Sequence, residues 1–193
     1  MTTWTIRPAV ESDAAALSEL AERTFRDAFA ALNTPEDMDL HCSRSYAPAI
    51  LAAQIVNPVV HTLVAELDGA LIAYAQLRLD DTRPSCVAVS SAVELQRIYV
   101  DRRWHGTGVA RSLMSRVIEL AAGHGAEALW LGVWERNPRA IRFYQSYGFA
   151  EIGDHVFVVG NDPQRDLVMI RELPRMNQVN TGDPATAAVR RVI

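Results

Sequence analysis

Two glycines stand between a predicted strand and a predicted helix, and this turn constrains the fold more than any other part of the sequence. An apolar run, 93–100, ends just before it, Gly106 and Gly108 lie within it, and an amphipathic run, 109–122, follows. Glycine lets a backbone approach a ligand closely. The first turn of a helix directs free N–H groups and the positive end of its dipole toward that ligand. We therefore expect an anion site, with phosphate as the anion.

The residues that follow the two glycines exclude two common phosphate-binding motifs. No Lys-Ser/Thr pair follows Gly108, so the turn is not a Walker loop. Arg111 stands where the third glycine of a dinucleotide-binding fingerprint would be. A strand-to-helix turn with two glycines can also be only a turn. The residues alone leave the choice between a phosphate site and a plain turn open.

Hydrophobic periodicity predicts an α/β chain in the order β-α-α-β-β-β-α-β-α-β-β. Thr34-Pro35 and Asn137-Pro138 have the order of cap and proline that is typical of a helix start. Asp68-Gly69 predicts a hairpin turn. The near-continuous apolar run 128–133 is typical of a parallel strand buried on both faces. Since a helix links it to 93–100, we expect these two strands to form a parallel pair in the middle of the sheet.

Length and charge limit the class of protein. We expect one domain over residues 1–173, then a disordered tail, 174–193, which is rich in Asn, Thr, Gly, Pro and Ala without any period. A net charge of −4 without a basic patch argues against a nucleic-acid partner. No apolar run is long enough for a membrane span, and the first residues lack the regions of a signal peptide, so we expect a cytoplasmic protein. The sequence leaves open whether it is a homodimer.

The cysteines and histidines show no pattern of a reactive or metal site. Cys42 and Cys86 are isolated, which is typical of reduced, structural thiols in a cytosolic chain. The five histidines are scattered and none has metal-ligand spacing, so we expect no metal.

Two segments resemble the GNAT superfamily of N-acetyltransferases. The pattern Arg-x-x-Gly-x-Gly from Arg103 to Gly108, placed after a strand, is similar to the acetyl-CoA pyrophosphate loop of that family. Residues 137–149 resemble its second motif, Asn-x-x-Ala-x-x-(Phe)-Tyr-x-x-x-Gly-Phe. The resemblance implies the GNAT fold, which is a mixed seven-stranded sheet with a splayed central parallel pair and flanking helices. It also implies acetyl-CoA as the co-substrate.

The resemblance also implies which residues contact the cofactor. Backbone groups at the end of the strand would bind pantetheine, the glycine turn would bind pyrophosphate, and an asparagine would hold the pantetheine arm. A tyrosine hydroxyl would face the sulfur and protonate the leaving thiolate. Carried over residue by residue, these positions are Ile98, Tyr99, Val100, Arg103, His105, Gly106, Thr107, Gly108, Val109, Ala110, Asn137 and Tyr144.

Glu94 is unusual because it places a carboxylate in an otherwise apolar strand. One interpretation is a structural carboxylate paired with Arg97. Its position four residues before Ile98, however, resembles that of the catalytic glutamate in the histone acetyltransferase branch of the family. That resemblance implies a base that deprotonates the amine directly or through water. Burial would raise the pKa of Glu94 and make it a better base.

Further segments resemble the PaiA-type spermidine/spermine N-acetyltransferases. The similarity is strongest over 94–100, 130–137 and 155–160, and it extends from about Trp4 to Leu173. It implies a polyamine acceptor, which needs carboxylates along its groove. A peptide or protein amine, and a non-catalytic acyl-CoA-binding regulator, are the alternatives. Candidate carboxylates, each of which could equally be a solvated surface acid, are Glu36, Asp37, Asp39, Asp80 and Asp81.

Overall fold

The alternating apolar residues form seven strands that join in one mixed sheet. The structure, a computed structural model, describes residues 3–174. The sheet order is β1-β2-β3-β4-β5-β7-β6, with β4 and β5 parallel and every other neighbouring pair antiparallel. The predicted α/β sheet with a central parallel pair is confirmed. The strands are β1 Thr5–Pro8, β2 Val60–Leu67, β3 Ala70–Arg78, β4 Ala92–Val100, β5 Ala128–Trp134, β6 Ala150–Val159 and β7 Asp162–Glu172.

Five α-helices flank the sheet, and two of them begin at the predicted caps. The side chain of Thr34 accepts a hydrogen bond from Asp37 N at the start of α2, and Asn137 Oδ1 accepts one from Ala140 N at the start of α5. Asp13 binds Arg7 instead of capping α1. The helices are α1 Ala14–Phe29, α2 Pro35–Tyr46, α3 Pro48–Ile55, α4 Val109–Gly123 and α5 Pro138–Ser146.

The helices cover the sheet on both faces. On one face Leu113 and Val117 of α4 pack with Leu131 of β5, and all three are buried. On the other face Leu17 and Phe25 of α1 join the core formed with α2 and α3. Within residues 3–174, no helix is long and apolar enough to cross a membrane. The tail predicted to be disordered lies, from residue 175 onward, outside the described residues.

The central parallel pair separates after only three register positions. β4 pairs with β5 at Ala92–Ala128, Val93–Leu129 and Glu94–Trp130, although β4 continues to Val100 and β5 to Trp134. On the other side of β4, the register with β3 shifts so that Gln96 has no partner residue. An extra residue of this kind is a β-bulge, which bends the strand that contains it. The strand ends beyond Glu94 therefore diverge and leave backbone groups unpaired within the sheet.

The turn between β6 and β7 packs against the start of α2. Asn161 N donates a hydrogen bond of 2.8 Å to Asp37 Oδ1. Gly160 has a φ of 63°, and a Cβ atom built on it would lie 2.6 Å from the carbonyl oxygen of Asp37. Glycine is needed here both for the backbone conformation and for the close approach.

We expect Gly160→Ala to destabilise the fold more than Gly69→Ala. Both glycines have a positive φ, of 63° and 80°, so each alanine pays about 1 kcal/mol of backbone strain. Of these two glycines, only Gly160 has atoms within 4 Å of the added methyl group. The steric overlap should cost about 1–3 kcal/mol of further stability. Urea unfolding of the two variants measures the difference. Equal losses of stability would show that the turn is not held against α2.

Candidate active site

The gap between β4 and β5 opens into a cavity of about 670 Å³. The separated strand ends, the glycine turn and α5 all contribute to its walls, and β6 and β7 close one end. Most of the predicted site residues are brought together here. Those lining the cavity are Glu94, Ile98, Tyr99, Val100, His105, Gly106, Gly108, Ala110, Asn137 and Tyr144.

The glycine turn has the geometry of an anion site. Gly106 and Gly108 have φ values of 80° and 98°, which residues with a side chain rarely adopt. The bond from Ser112 N to Gly108 O, of 3.0 Å, is the first hydrogen bond of α4. The N–H groups of the three residues between them have no partner within the helix, and the dipole of α4 adds positive potential.

Thr107 and Val109 lie behind this turn rather than on the cavity wall. The hydroxyl of Thr107 donates to the carbonyl of Trp104 at 2.7 Å. The side chain of Val109 is fully buried in the core beneath α4. Only their main-chain groups are placed to contact a ligand, so their predicted role in cofactor binding remains a prediction about the backbone.

The arginine expected at the pyrophosphate is directed elsewhere. Arg103 donates from Nε and Nη2 to the carboxylate of Asp101, at 3.0 and 2.8 Å, and it does not line the cavity. This arginine, together with Arg23, holds the pKa of Asp101 well below its usual range. A contact between the Arg103 side chain and a phosphate is not seen in this structure, and it remains a prediction.

Arginines that the sequence analysis did not assign to the site line the cavity instead, and two of them stand at helix starts. Arg111 lies in the first turn of α4, and Arg139 lies in the first turn of α5. A cation at the N-terminus of a helix is unfavourable because it faces the positive end of the dipole. An anion bound between the two helix ends would relieve that repulsion. Basic residues in the first turn of two helices were the signal in the sequence that could have revealed them.

His105 ties the glycine turn to the end of β4 and to α5. Its Nδ1 lies 3.1 Å from Nη1 of Arg139, and its Nε2 lies 2.9 Å from the carbonyl oxygen of Val100. Because arginine can only donate, Nδ1 of His105 accepts the hydrogen bond from Arg139. Nε2 therefore carries the ring hydrogen and donates a hydrogen bond to the carbonyl oxygen of Val100. This contact engages one of the strand-end carbonyls expected to bind pantetheine.

Tyr144 and Asn137 occupy the same helix at the edge of the cavity. Burial raises the pKa of the Tyr144 hydroxyl above its ordinary value, and the charge of Asp166 raises it further. The hydroxyl is therefore protonated at neutral pH, as a proton donor must be. Asn137 uses Oδ1 to cap α5, so its amide nitrogen is the group left to bind a ligand.

Glu94 is not the ion-pair partner of Arg97. Its carboxylate accepts a hydrogen bond of 2.7 Å from the hydroxyl of Thr82. Arg97 donates to the side-chain oxygen of Gln76 at 2.7 Å and lies over the ring of Tyr46. Burial raises the pKa of Glu94, as predicted, while the hydrogen bond from Thr82 and the charge of Arg78 oppose the shift.

The surface acids proposed for a polyamine groove do not line the cavity. Asp80 pairs with Arg78, Asp81 with Arg83 and Asp39 with Arg26. Glu36 and Asp37 lie at the exposed start of α2. The acidic residues that do line the cavity are Asp27, Glu94 and Asp166.

The sequence analysis missed Asp166. This residue is buried, and it directly precedes an apolar segment of β7. Burial raises the pKa of this carboxyl group to about 7. An acidic residue that directly precedes the apolar residues 167–170 was the available signal.

Cys42 does not fit the role of a thiol nucleophile. Cys42 is buried, and burial raises the pKa of its thiol to about 11, so it is protonated and unreactive at neutral pH. Within residues 3–174, no group of three or more His, Cys, Asp and Glu side chains is placed to hold a metal ion.

Known proteins match both the sequence and the fold. The sequence pattern of the Acetyltransferase (GNAT) family matches residues 15–149. The chain belongs to the GNAT acetyltransferase family. An uncharacterized N-acetyltransferase of Mycobacterium tuberculosis is 36% identical over 162 residues, which cover 84% of this chain and 99% of that protein. Another, from Lactobacillus delbrueckii subsp. lactis, is 31% identical over 163 residues, 84% of this chain and 94% of that protein.

Solved structures agree on the fold of this GNAT enzyme. The PaiA N-acetyltransferase from Thermoplasma acidophilum, in complex with coenzyme A, superposes with a TM-score of 0.72 and 20% identity, over 88% of this chain and 99% of that one. A putative acetyltransferase from Salmonella typhimurium, solved with acetyl-CoA, superposes with a TM-score of 0.65 and 26% identity, over 90% of this chain and 95% of that one. The predicted GNAT fold is confirmed, and family membership makes the protein an acetyl-CoA-dependent N-acetyltransferase.

We expect Arg139→Gln to weaken coenzyme A binding about 3- to 10-fold, because it removes a cation from the phosphate end of the cavity and frees His105. The matched control is Arg116→Gln, which removes an exposed arginine of α4 that pairs with Glu119. Isothermal titration with coenzyme A at low and high salt measures both. The loss should shrink at high salt. Equal affinities for the two variants would exclude Arg139 from the phosphate site.

Proposed function

We propose that this GNAT enzyme transfers the acetyl group of acetyl-CoA to a primary amine by direct attack, and that the acceptor is a polyamine such as spermidine or spermine. One observation carries the proposal. A single cavity connects the glycine turn, the separated ends of β4 and β5, the half-buried Tyr144, the half-buried Glu94 and the buried Asp166.

The residues of this cavity fit the parts of acetyl-CoA. Free N–H groups of the glycine turn and the first turn of α4, with Arg111 and Arg139 nearby, suit the pyrophosphate. The main chain of Ile98 to Val100, which has no pairing with β5, suits pantetheine, which can hydrogen-bond there as an added strand would; the carbonyl of Val100 would first have to be released by His105. A main-chain N–H at the gap can also stabilise negative charge on the acetyl oxygen during attack.

Two protons must move for the transfer to proceed. The ammonium loses a proton before its nitrogen attacks the acetyl carbon, and the departing thiolate gains one. Tyr144 supplies the second proton, since its hydroxyl is held protonated in the cavity. A carboxylate of the cavity takes the first, and Glu94 is the one that the sequence predicts. Groups in such roles accelerate a reaction by about 10²–10⁴-fold.

The charge of the acceptor end supports a cationic amine. Glu94 and Asp166 line the cavity, and the whole chain has a net charge of −4. Of the other charged residues there, Asp27 pairs with Arg102, and Arg97 is engaged by Gln76 and the ring of Tyr46. A polyamine carries several ammonium groups and can pair with more than one of these carboxylates. A peptide or protein amine needs only one such contact, so the reaction alone does not separate the two acceptors.

An amine panel tests the acceptor. Spermidine, spermine, an aminoglycoside and a peptide with a free N-terminus are each incubated with acetyl-CoA, and release of coenzyme A is followed. We expect the highest kcat/KM for the polyamines. Faster turnover of the peptide would favour a peptide acceptor. Tight coenzyme A binding without turnover of any amine would favour a non-catalytic acyl-CoA-binding regulator.

We expect Tyr144→Phe to lower kcat by about 10² or more, because the thiolate would then leave without a proton donor. The dissociation constant of coenzyme A should change little, since the ring is retained. Steady-state kinetics with the best amine of the panel and titration with coenzyme A measure both quantities. An unchanged kcat would remove Tyr144 from the role of acid.

A further inference from the structure

Polar side chains without partners surround Gly132 on β5. A Cβ atom built on Gly132 would lie 2.6 Å from Nε2 of His155 and 3.3 Å from Oδ2 of Asp166. His155 Nε2 is buried and has no hydrogen-bond partner. Asp166 is 8% exposed, and within residues 3–174 no hydrogen bond or salt bridge engages its carboxylate. The absence of a side chain at Gly132 leaves room beside two polar groups that nothing in the fold satisfies.

This group, the Gly132 pocket, lies on the face of the sheet opposite α4. Leu131 and Val133 pack into the core under α4, so Gly132 between them faces the other way. His155 and Asp166 are directly paired across β6 and β7 and share that face. The glycine turn that would hold the phosphates belongs to α4. An acceptor can therefore approach the gap from the side of the sheet that the cofactor phosphates do not occupy.

Asp166 is better placed than Glu94 to meet the reacting amine. The charge of Asp166 raises the pKa of Tyr144, and both residues line the cavity. Glu94 already accepts a hydrogen bond from Thr82 and feels the positive charges of Arg78 and Arg97. No hydrogen bond or nearby positive charge offsets the effect of burial on the pKa of Asp166 within the described residues. An ammonium group would be the first partner of its carboxylate.

We propose that Asp166 is the carboxylate that binds the ammonium group of the acceptor and takes its proton, and that His155 orients the resulting amine. This inference rests on the proposed function and assigns its proton acceptor. An N–H bond breaks and an O–H bond forms on Asp166. The freed electron pair then attacks the acetyl carbon, so a C–N bond forms and the C–S bond breaks.

The remaining protons balance the reaction. The thiolate takes the proton of the Tyr144 hydroxyl, and Tyr144 recovers one from the nitrogen that has become acetylated. Asp166 releases its proton to solvent. The products are the N-acetylated amine, coenzyme A as the free thiol and one proton. His155 is suited to accept an N–H of the amine, because burial lowers its pKa and keeps the ring neutral.

The pH dependence follows from the groups that face Asp166. Burial raises the pKa of its carboxyl group to about 7. His155 of β6 lies beside it and Tyr144 of α5 senses its charge, and neither is a cation at neutral pH. Arg97 of β4 lines the same cavity but is engaged by Gln76 and the ring of Tyr46. The neighbouring Arg165 is engaged by Glu135 and Asp154. The acidic limb of kcat/KM should therefore fall near neutral pH and belong to Asp166.

Two matched variants test the assignment: Asp166→Asn and Glu94→Gln, each assayed with spermidine or with a faster amine of the panel. We expect Asp166→Asn to lower kcat by about 10² or more and to remove the acidic limb near pH 7, with unchanged affinity for coenzyme A. Glu94→Gln should mainly raise KM for the amine and leave that limb in place. The opposite pattern, with the limb lost in Glu94→Gln, would overturn the inference.

Thermal unfolding gives a readout apart from activity. The pKa of Asp166 is higher in the fold than in the unfolded chain, so stability falls as pH rises from the ordinary pKa of an aspartate, about 4, to about 7 and then levels off. Asp166→Asn should therefore have a higher Tm than the wild type at about pH 8 and a smaller advantage at about pH 5. An unchanged difference between the two pH values would contradict an unpartnered carboxylate.

Gly132→Ala provides a second test that leaves both carboxylates in place. Its methyl group would displace His155 and narrow the Gly132 pocket, so we expect KM for the amine to rise about 10-fold while coenzyme A binding is retained. An unchanged KM would place the acceptor elsewhere. If the wild type acetylates the amine and Asp166→Asn does so equally fast, only this inference is overturned. A wild type that acetylates no amine at all would overturn the proposed function as well.

Discussion

The short pairing of β4 and β5 is the constraint on which the site depends. The two strands share three register positions and then separate, while β3 remains paired with β4 and β7 with β5 along their outer edges. The opening is therefore held on both sides by antiparallel ladders and does not require a flexible loop. The bulge at Gln96 bends β4 away at the point where pairing ends. A ligand with hydrogen-bonding groups can occupy the gap as an additional strand would.

The cavity is electrostatically divided along its length. Arg111 and Arg139 stand at the starts of two helices, where only a bound anion makes their position favourable. Glu94 and Asp166 line the opposite end, where burial makes ionised carboxylates costly without a cation. Acetyl-CoA brings its negative charge to the first end, and a protonated amine brings positive charge to the second. Under the proposed function, each substrate would be directed to its own end of one continuous cleft.

Local patterns in the sequence predicted the elements and the turn, whereas the acceptor end depends on contacts between distant residues. The caps at Thr34 and Asn137 and the glycines of the turn involve neighbours within a few residues, so spacing alone revealed them. An acid before an apolar run is a weak signal for Asp166, and its place beside His155 and Gly132 depends on the pairing of β6, β7 and β5. The bulge at Gln96 leaves no mark on the apolar pattern of β4. The pairing of Arg103 with Asp101 is local, and the sequence could have indicated it.

Acid and base in this cleft are distinguished by environment rather than by residue type alone. Burial raises the pKa of both Tyr144 and Asp166, but from different starting values. The tyrosine consequently keeps its proton at neutral pH, while the carboxyl group, at about 7, can lose or accept one with little bias. A carboxylate near its ordinary pKa would bind an ammonium group but would seldom take its proton. The same desolvation that destabilises the empty fold at Asp166 therefore makes that residue an effective proton acceptor once the amine arrives.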